Sequence, residues 1–214
     1  MTPGHRNVPA RNPYERLYQS RVGGLLWGDE PGRLVSVIDK WVSTGTVLDV
    51  GCGDGKNSLF LEQNGFRVLG VDASMSALQA LNVRAAQTGQ RRTGRYIVAD
   101  VETLQITGRF DVLVSYGLYH CLHPDRRSAV HRRLQELVVP GGIVLFCSLT
   151  DGLPVPPGHF DTELTLPSEA EVAALFRDGF RLEYEESGSI IEDHAPLVDV
   201  HEHRACWRVA RRAT

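Results

Sequence analysis

The residues best suited to chemistry stand in one run, Val47-Leu48-Asp49-Val50-Gly51-Cys52-Gly53-Asp54-Gly55-Lys56-Asn57. A short apolar strand passes through three glycines at alternate positions and reads directly into a helix. Glycine has no Cβ, so such a turn can adopt positive φ and let the backbone approach a ligand closely. A helix that begins at the turn points unpaired N–H groups at that ligand. The pattern describes a nucleotide-type cofactor site at the carboxyl end of a first strand. Cys52 reads as a small loop residue rather than a nucleophile.

Other candidates follow at regular intervals. Asp72 closes a second apolar run, Val68-Leu69-Gly70-Val71, where a carboxylate can accept from both hydroxyls of a ribose. The alternative role for Asp72 is a cap for the helix that follows. Asp100-Val101 closes a third run, and Ser115-Tyr116-Gly117-Leu118-Tyr119-His120 follows a fourth. An unperturbed histidine titrates near neutrality, so His120, just beyond a strand end, is a candidate general base. Tyr14, Tyr18 and Arg21 fall near one helical face upstream of Trp27. His194, His201 and His203 invite a metal reading. No fixed set of Cys, Asp or Glu ligands accompanies them and the spacing matches no zinc pattern, so a polar hairpin is expected there and no metal. His159 lies in a proline-rich loop and could touch a substrate.

These residues need elements to hold them. Strands are expected at 46–50, 67–71, 96–99, 110–115 and 143–148, with helices at about 13–22, 31–42, 56–64, 74–88, 124–138 and 168–178. Strands alternating with helices imply a mainly parallel sheet covered on both faces. Pro140-Gly141-Gly142 reads as a tight turn before the fifth strand. Ser74 is a candidate N-cap, and Ser168-x-x-Glu171 is a capping box. Two final strands, about 181–191 and 205–211, should pair antiparallel. Residues 151–166 form a long loop, a kind that tends to be functional.

Composition narrows the classes. With 214 residues, 42% hydrophobic and 23% charged, the chain has the size of one α/β domain. A net charge of −3 argues against a nucleic-acid binder. Lys40 and Lys56 are the only lysines beside many arginines. No apolar run approaches the roughly 20 residues that span a membrane. The polar, proline-containing N-terminus lacks a signal-peptide core. The four dispersed cysteines suggest reduced thiols and a cytoplasmic location.

The run Asp49-x-Gly51-x-Gly53-x-Gly55 resembles motif I of the class I S-adenosylmethionine (SAM) methyltransferases. The dinucleotide dehydrogenase pattern fits less well, because the third glycine comes one position early and Lys56 replaces a small residue. Phe110-Asp111-Val112-Leu113-Val114 resembles motif IV of the same family, and Leu137-Val138-Val139-Pro140-Gly141-Gly142 resembles its turn before strand five. Cys52-Gly53-x-Gly55-x-Asn57-Ser58 and the tail around Trp207 are similar to the small-molecule branch that holds tellurite-resistance and thiopurine methyltransferases.

The resemblance implies a Rossmann-like α/β fold with a seven-stranded sheet, mostly parallel with an antiparallel last strand and helices on both faces. It implies SAM as cofactor, held by Asp49, Gly51, Cys52, Gly53, Asn57, Asp72, Ala73, Asp100, Val101 and Ser115, with Tyr18 or Arg21 at the methionine end. Residues 1–45 would form lid helices over a domain of residues 46–214. Tyr14, Trp27, Tyr119 and His159 would line the acceptor site, and His120 and Tyr116 would flank the reacting methyl. The expected reaction is in-line transfer to an O, N or S nucleophile of a small molecule, by a monomer or homodimer. The acceptor is left open. A non-catalytic SAM-binding regulator and an NAD-dependent oxidoreductase are the competing readings.

Overall fold

The computed structural model describes residues 14–20, 26–87, 89, 93–156, 164–194 and 198–214. Among these, seven strands form one sheet in the order β3-β2-β1-β4-β5-β7-β6. They are β1 (Thr46–Val50), β2 (Arg67–Asp72), β3 (Arg95–Val98), β4 (Phe110–Tyr116), β5 (Val138–Thr150), β6 (Phe180–His194) and β7 (Val198–Arg212). β1 to β5 run parallel, and β7 inserts antiparallel between β5 and β6. The expected antiparallel last strand is present.

Successive side chains of a strand point to opposite faces, so an apolar strand in mid-sheet feeds two cores. Leu48, Val50, Leu113 and Phe146 pack on one face with Val172 and Phe176. Val47, Val112, Val114 and Leu145 pack on the other with Leu34, Val35 and Leu61. Full burial of one such side chain is worth about 1.5–3 kcal/mol. The sheet therefore carries the stability and its rim is left to carry chemistry.

The helices are α1 (Glu15–Ser20), α2 (Lys56–Gln63), α3 (Met75–Gln87), α4 (Pro124–Gln135) and α5 (Glu169–Ala174). Ser74 caps α3 by accepting the Ala77 N–H at 2.9 Å. Ser168 likewise accepts the Glu171 N–H at 3.1 Å. Glu171 does not complete the capping box. Its carboxylate pairs with Arg127 instead, at 2.6 Å, because a buried guanidinium needs an anion more than the Ser168 amide does.

Several elements differ from expectation. The helix expected over 31–42 is a 3₁₀ segment, Val35–Lys40, kinked at Val37, where φ is −122°. Its β-branched Val35, Val37 and Ile38 resist a regular helix. α4 ends at Gln135, because Val138 is drawn into the sheet beside Phe110. Strand β5 accordingly starts before the Pro140-Gly141-Gly142 turn, which becomes an irregularity between the Phe110 and Val112 pairings. Among the described residues no helix is long and apolar enough to cross a membrane.

Candidate active site

The glycine loop ends β1 at the carboxyl edge of the parallel strands, the edge where open α/β sheets take ligands. Gly51, Gly53 and Gly55 have φ of +70°, +55° and +81°. Side chains there would be strained and crowded. A Cβ on Gly53 would lie 2.6 Å from the Tyr18 hydroxyl, and one on Gly55 would lie 2.5 Å from Leu81.

Asp72, at the end of β2, faces this loop. Its carboxylate accepts the Gly53 N–H at 2.9 Å and the Ser74 N–H at 2.8 Å. One carboxylate thus ties the loop to the turn before α3, while Ser74 itself caps that helix. Burial raises its pKa, opposed by those two amides. Asp49 lies beneath the loop, 1% exposed, and accepts from Ser58 Oγ at 2.6 Å. Burial lifts its pKa to about 7. Asp49 thus anchors the first turn of α2 from below.

Asp100 folds onto its own turn, accepting the Glu102 N–H at 2.8 Å, with Val101 buried beside it. Ala73 is partly exposed next to Asp72. Asn57, in the first turn of α2, accepts the Gly32 N–H at 2.7 Å and ties the loop to the upstream segment. Cys52 is buried against Leu59, Leu78 and Leu81, and burial pushes its thiol pKa up.

The upstream segment covers the loop. Tyr14, Leu17, Tyr18 and Leu26 form an apolar cluster with Ala77 of α3. Trp27 Nε1–H donates to the Tyr18 hydroxyl at 2.8 Å, directly above Gly53. Lys56 Nζ donates to the Trp27 carbonyl at 3.0 Å. Arg21 and His159 lie outside the described residues.

His120 sits in a 3₁₀ turn after β4 and is 2% exposed. Its Nδ1 accepts the Leu149 N–H at 3.2 Å, which leaves the proton of the neutral ring on Nε2. Nε2 then donates to the Tyr14 hydroxyl at 3.2 Å. Burial lowers its pKa to about 4. So placed, the ring links α1 to β5, and its one lone pair is turned to the backbone rather than to an acceptor.

Two expectations fail here for reasons of packing. Tyr119 does not reach the acceptor side. It is fully buried on the α4/α5 face, with its hydroxyl 2.8 Å from Ser128 and from Glu171. Tyr116 accepts from Trp207 Nε1–H at 3.1 Å and lies flat against Gly32. Its hydroxyl serves the packing of β7 and the upstream segment. Ser115, by contrast, stays at the site. Its Oγ is fully buried at the end of β4, without a hydrogen-bond partner among the described residues.

Residues 47–142 match the family model of a methyltransferase domain. Over that stretch the chain resembles methyltransferase domains. It is 27% identical over 115 residues to 2-heptyl-1-hydroxyquinolin-4(1H)-one methyltransferase of Mycobacteroides abscessus, covering 53% of this chain and 50% of that protein. It is 29% identical over 152 residues to the probable S-adenosyl-L-methionine-dependent methyltransferase TehB of Haemophilus influenzae, covering 69% of this chain and 50% of TehB. The chain thus spans half the length of these curated relatives. The TehB crystal structure superposes with a TM-score of 0.70 at 20% identity, covering 83% of this chain and 61% of that one. A structure described for conversion of a disulfide bond into a thioacetal group during echinomycin biosynthesis also gives 0.70, at 22% identity, covering 94% and 91%. At such identities these structures establish the fold.

Within the matched stretch, sequence reasoning missed a buried ion pair. Arg84 of α3, 4% exposed, reaches Asp54 of the glycine loop at 2.8 Å. Asp54 also accepts the Leu26 N–H at 3.2 Å. One carboxylate thereby fixes the loop, α3 and the upstream segment together. The signal was the acidic residue between two loop glycines, but its partner lies 30 residues away and shares no local pattern with it. Sequence reasoning also missed Glu192. The β6–β7 register sets it opposite His201, and Glu192, His201 and His203 bring donor atoms within 4.8 Å of one another. The hairpin expected for these histidines is present, with a carboxylate added that spacing alone could not assign. The His194 side chain lies outside what the structure describes.

Proposed function

We propose that this chain catalyses transfer of a methyl group from SAM to an O, N or S nucleophile of a small molecule. The observation that carries the reading is the loop Gly51–Gly55, three positive-φ glycines at the carboxyl end of β1, with the Asp72 carboxylate 2.9 Å from the Gly53 N–H. The residues present fit SAM. The three glycines hold a positive-φ turn that no side chain could share with Tyr18 and Leu81, Asp72 offers a ribose-binding carboxylate, and the unpartnered Ser115 Oγ offers a buried hydroxyl at the end of β4. Gly51, Cys52 and Gly53 would hold the cofactor's methionine end, Asp72 and Ala73 the ribose, and Asp100 and Val101 the adenine. Tyr18 and Trp27 would close over it, as a lid of residues 1–45 requires.

The chemistry that SAM supplies when bound is an electrophilic methyl group on a sulfonium, which departs as a neutral thioether. The chain has to align a nucleophile and keep water out. Alignment alone can supply several kcal/mol of the barrier. Tyr14 and Trp27, edge to face with ring centroids 5.0 Å apart, wall the side where an acceptor would enter. His120 positions Tyr14 rather than taking a proton itself. The names of the relatives, including a hydroxyquinolone methyltransferase, support a small-molecule acceptor. A regulator without turnover and an NAD enzyme are less well supported, because the glycine spacing and the family match both favour a methyltransferase.

The test is calorimetry with SAM, S-adenosylhomocysteine and NAD. Binding of the first two, lost in Asp72→Ala, is expected. Binding of NAD without either would overturn the reading.

A further inference from the structure

The same rim of the sheet carries a second group of chemically able side chains. In the β6–β7 ladder Glu192 stands opposite His201, and Ile190 stands opposite His203. Directly opposed residues, and residues two apart on a strand, share one sheet face. Glu192, His201 and His203 therefore project together. His201 Nε2 lies 2.9 Å from His203 Nε2, and His203 Nε2 lies 3.7 Å from a Glu192 carboxylate oxygen.

Their orientation is fixed from behind. His201 Nδ1 is 2.6 Å from the Asp199 carbonyl oxygen. A carbonyl only accepts, so the proton is on Nδ1 and Nε2 turns its lone pair to the cluster. Metal-bound histidines are commonly oriented in this way, by a backbone carbonyl on the far nitrogen. The His203 side chain is 1% exposed and that of Glu192 is 13% exposed, while His201 is half-buried. The group is shielded yet reachable from one side.

We propose that Glu192, His201 and His203 form a binding site for one divalent transition-metal ion. Two imidazole nitrogens and one carboxylate are the donor set of open zinc and non-haem iron sites, which keep a position for water or substrate. Histidine nitrogens sit about 2.0–2.1 Å from zinc, so two nitrogens 2.9 Å apart can share one ion after a shift of a few tenths of an ångström. The bland alternative is a single N–H···N hydrogen bond between the two rings, with no affinity for metal.

The location gives the site a use. The Glu192 carboxylate acts electrostatically on Tyr14, His120 and Cys121, which places it beside the acceptor wall. An ion here would ligate a hydroxyl, amine or thiol of the acceptor and lower its pKa, the role that the neutral His120 ring does not fill. That use rests on the methyl-transfer reading. The binding site itself does not.

The test is metal titration of the full chain after treatment with chelator. Zinc is followed by calorimetry and thermal shift, and cobalt by its visible absorption. One ion per chain is expected, with a rise in Tm. Glu192→Gln and His201→Asn should each weaken zinc at least tenfold and leave SAM affinity within about twofold. His201 is partly exposed, so its variant tests the site even if Glu192→Gln folds poorly. Stoichiometry well below one for both ions, or unchanged zinc affinity in both variants, would overturn the proposal. Zinc binding that the variants abolish, in a chain that fails to bind SAM, would uphold the metal site and remove the methyl-transfer reading alone.

Discussion

Two parts of one sheet rim are built by opposite means. At β1 and β2 the site is made within a few residues of chain, by glycines that turn the backbone and by Asp72 at the next strand end. At β6 and β7 the cluster is assembled across a hairpin, from residues nine and eleven positions apart, by strand register. The first depends on turn chemistry, which is local. The second depends on pairing, where a slip of one residue would send every side chain to the other face. The neck between them, Tyr14 on His120, joins positions 106 residues apart.

The sharpest way to break this comparison is Asp72→Ala. Loss of the carboxylate proposed to accept two ribose hydroxyl hydrogen bonds, each worth about 1.5–3 kcal/mol to a charged group, should weaken SAM binding at least 100-fold by calorimetry. Glu192→Gln in the same assay should change it little. If both variants lost SAM equally, the two parts would be one site.

Two of the buried histidines, His131 and His120, test whether burial marks function. His131 lies in an aromatic cage of Tyr119, Phe146 and Phe176, and burial lowers its pKa to about 3. His120, lowered to about 4, sits at the neck. Both are neutral in the folded chain at pH values where the unfolded chain, with histidine pKa near 6.5, already binds protons. Stability should therefore fall as pH drops from about 6.5 toward 4. His131→Phe should flatten that acid slope, read by thermal melts across pH, without affecting SAM affinity.

His120→Ala should also flatten the acid slope, but it leaves the Leu149 amide unpaired. It should cost about 1–3 kcal/mol at pH 8 and weaken SAM binding several-fold through a loosened Tyr14. Normal affinity in this variant would show that the neck does not support the cofactor site.

The smallest effect belongs to Asp49. Its folded pKa of about 7 lies above the unfolded value, so its ionisation destabilises the fold as pH rises from about 4 to 7. Asp49→Asn, which keeps an oxygen for Ser58, should raise Tm by a few degrees at pH 8 and by almost nothing at pH 4.

How much of this was legible from residues alone follows the same division. β1 appeared at its observed bounds, because Val47, Leu48 and Val50 form a short apolar stretch between Gly45 and Gly51. The N-cap of α3 at Ser74 was equally plain. The full length of β5 was hidden by Pro140 and two glycines, which read as a turn until pairing with β4 absorbs them as an irregularity. Tyr119 looked like a site residue for its place beside His120, just after the fourth strand. The 3₁₀ turn at 119–121 rotates it into the core and leaves its neighbour His120 facing Tyr14.

The sequence by itself determined the alternation of strands and helices, the loop's backbone and the nature of the cofactor cradle. Glycine spacing and apolar runs act on the chain within one turn or one strand, so a linear reading reaches them. Tertiary structure decided the rest: Arg84 on Asp54, the neutral tautomer of His120, the burial of Tyr119 and the meeting of Glu192 with His201 and His203. Each of these joins residues through packing or register, where the energy is shared by whole elements and no short stretch of chain records it.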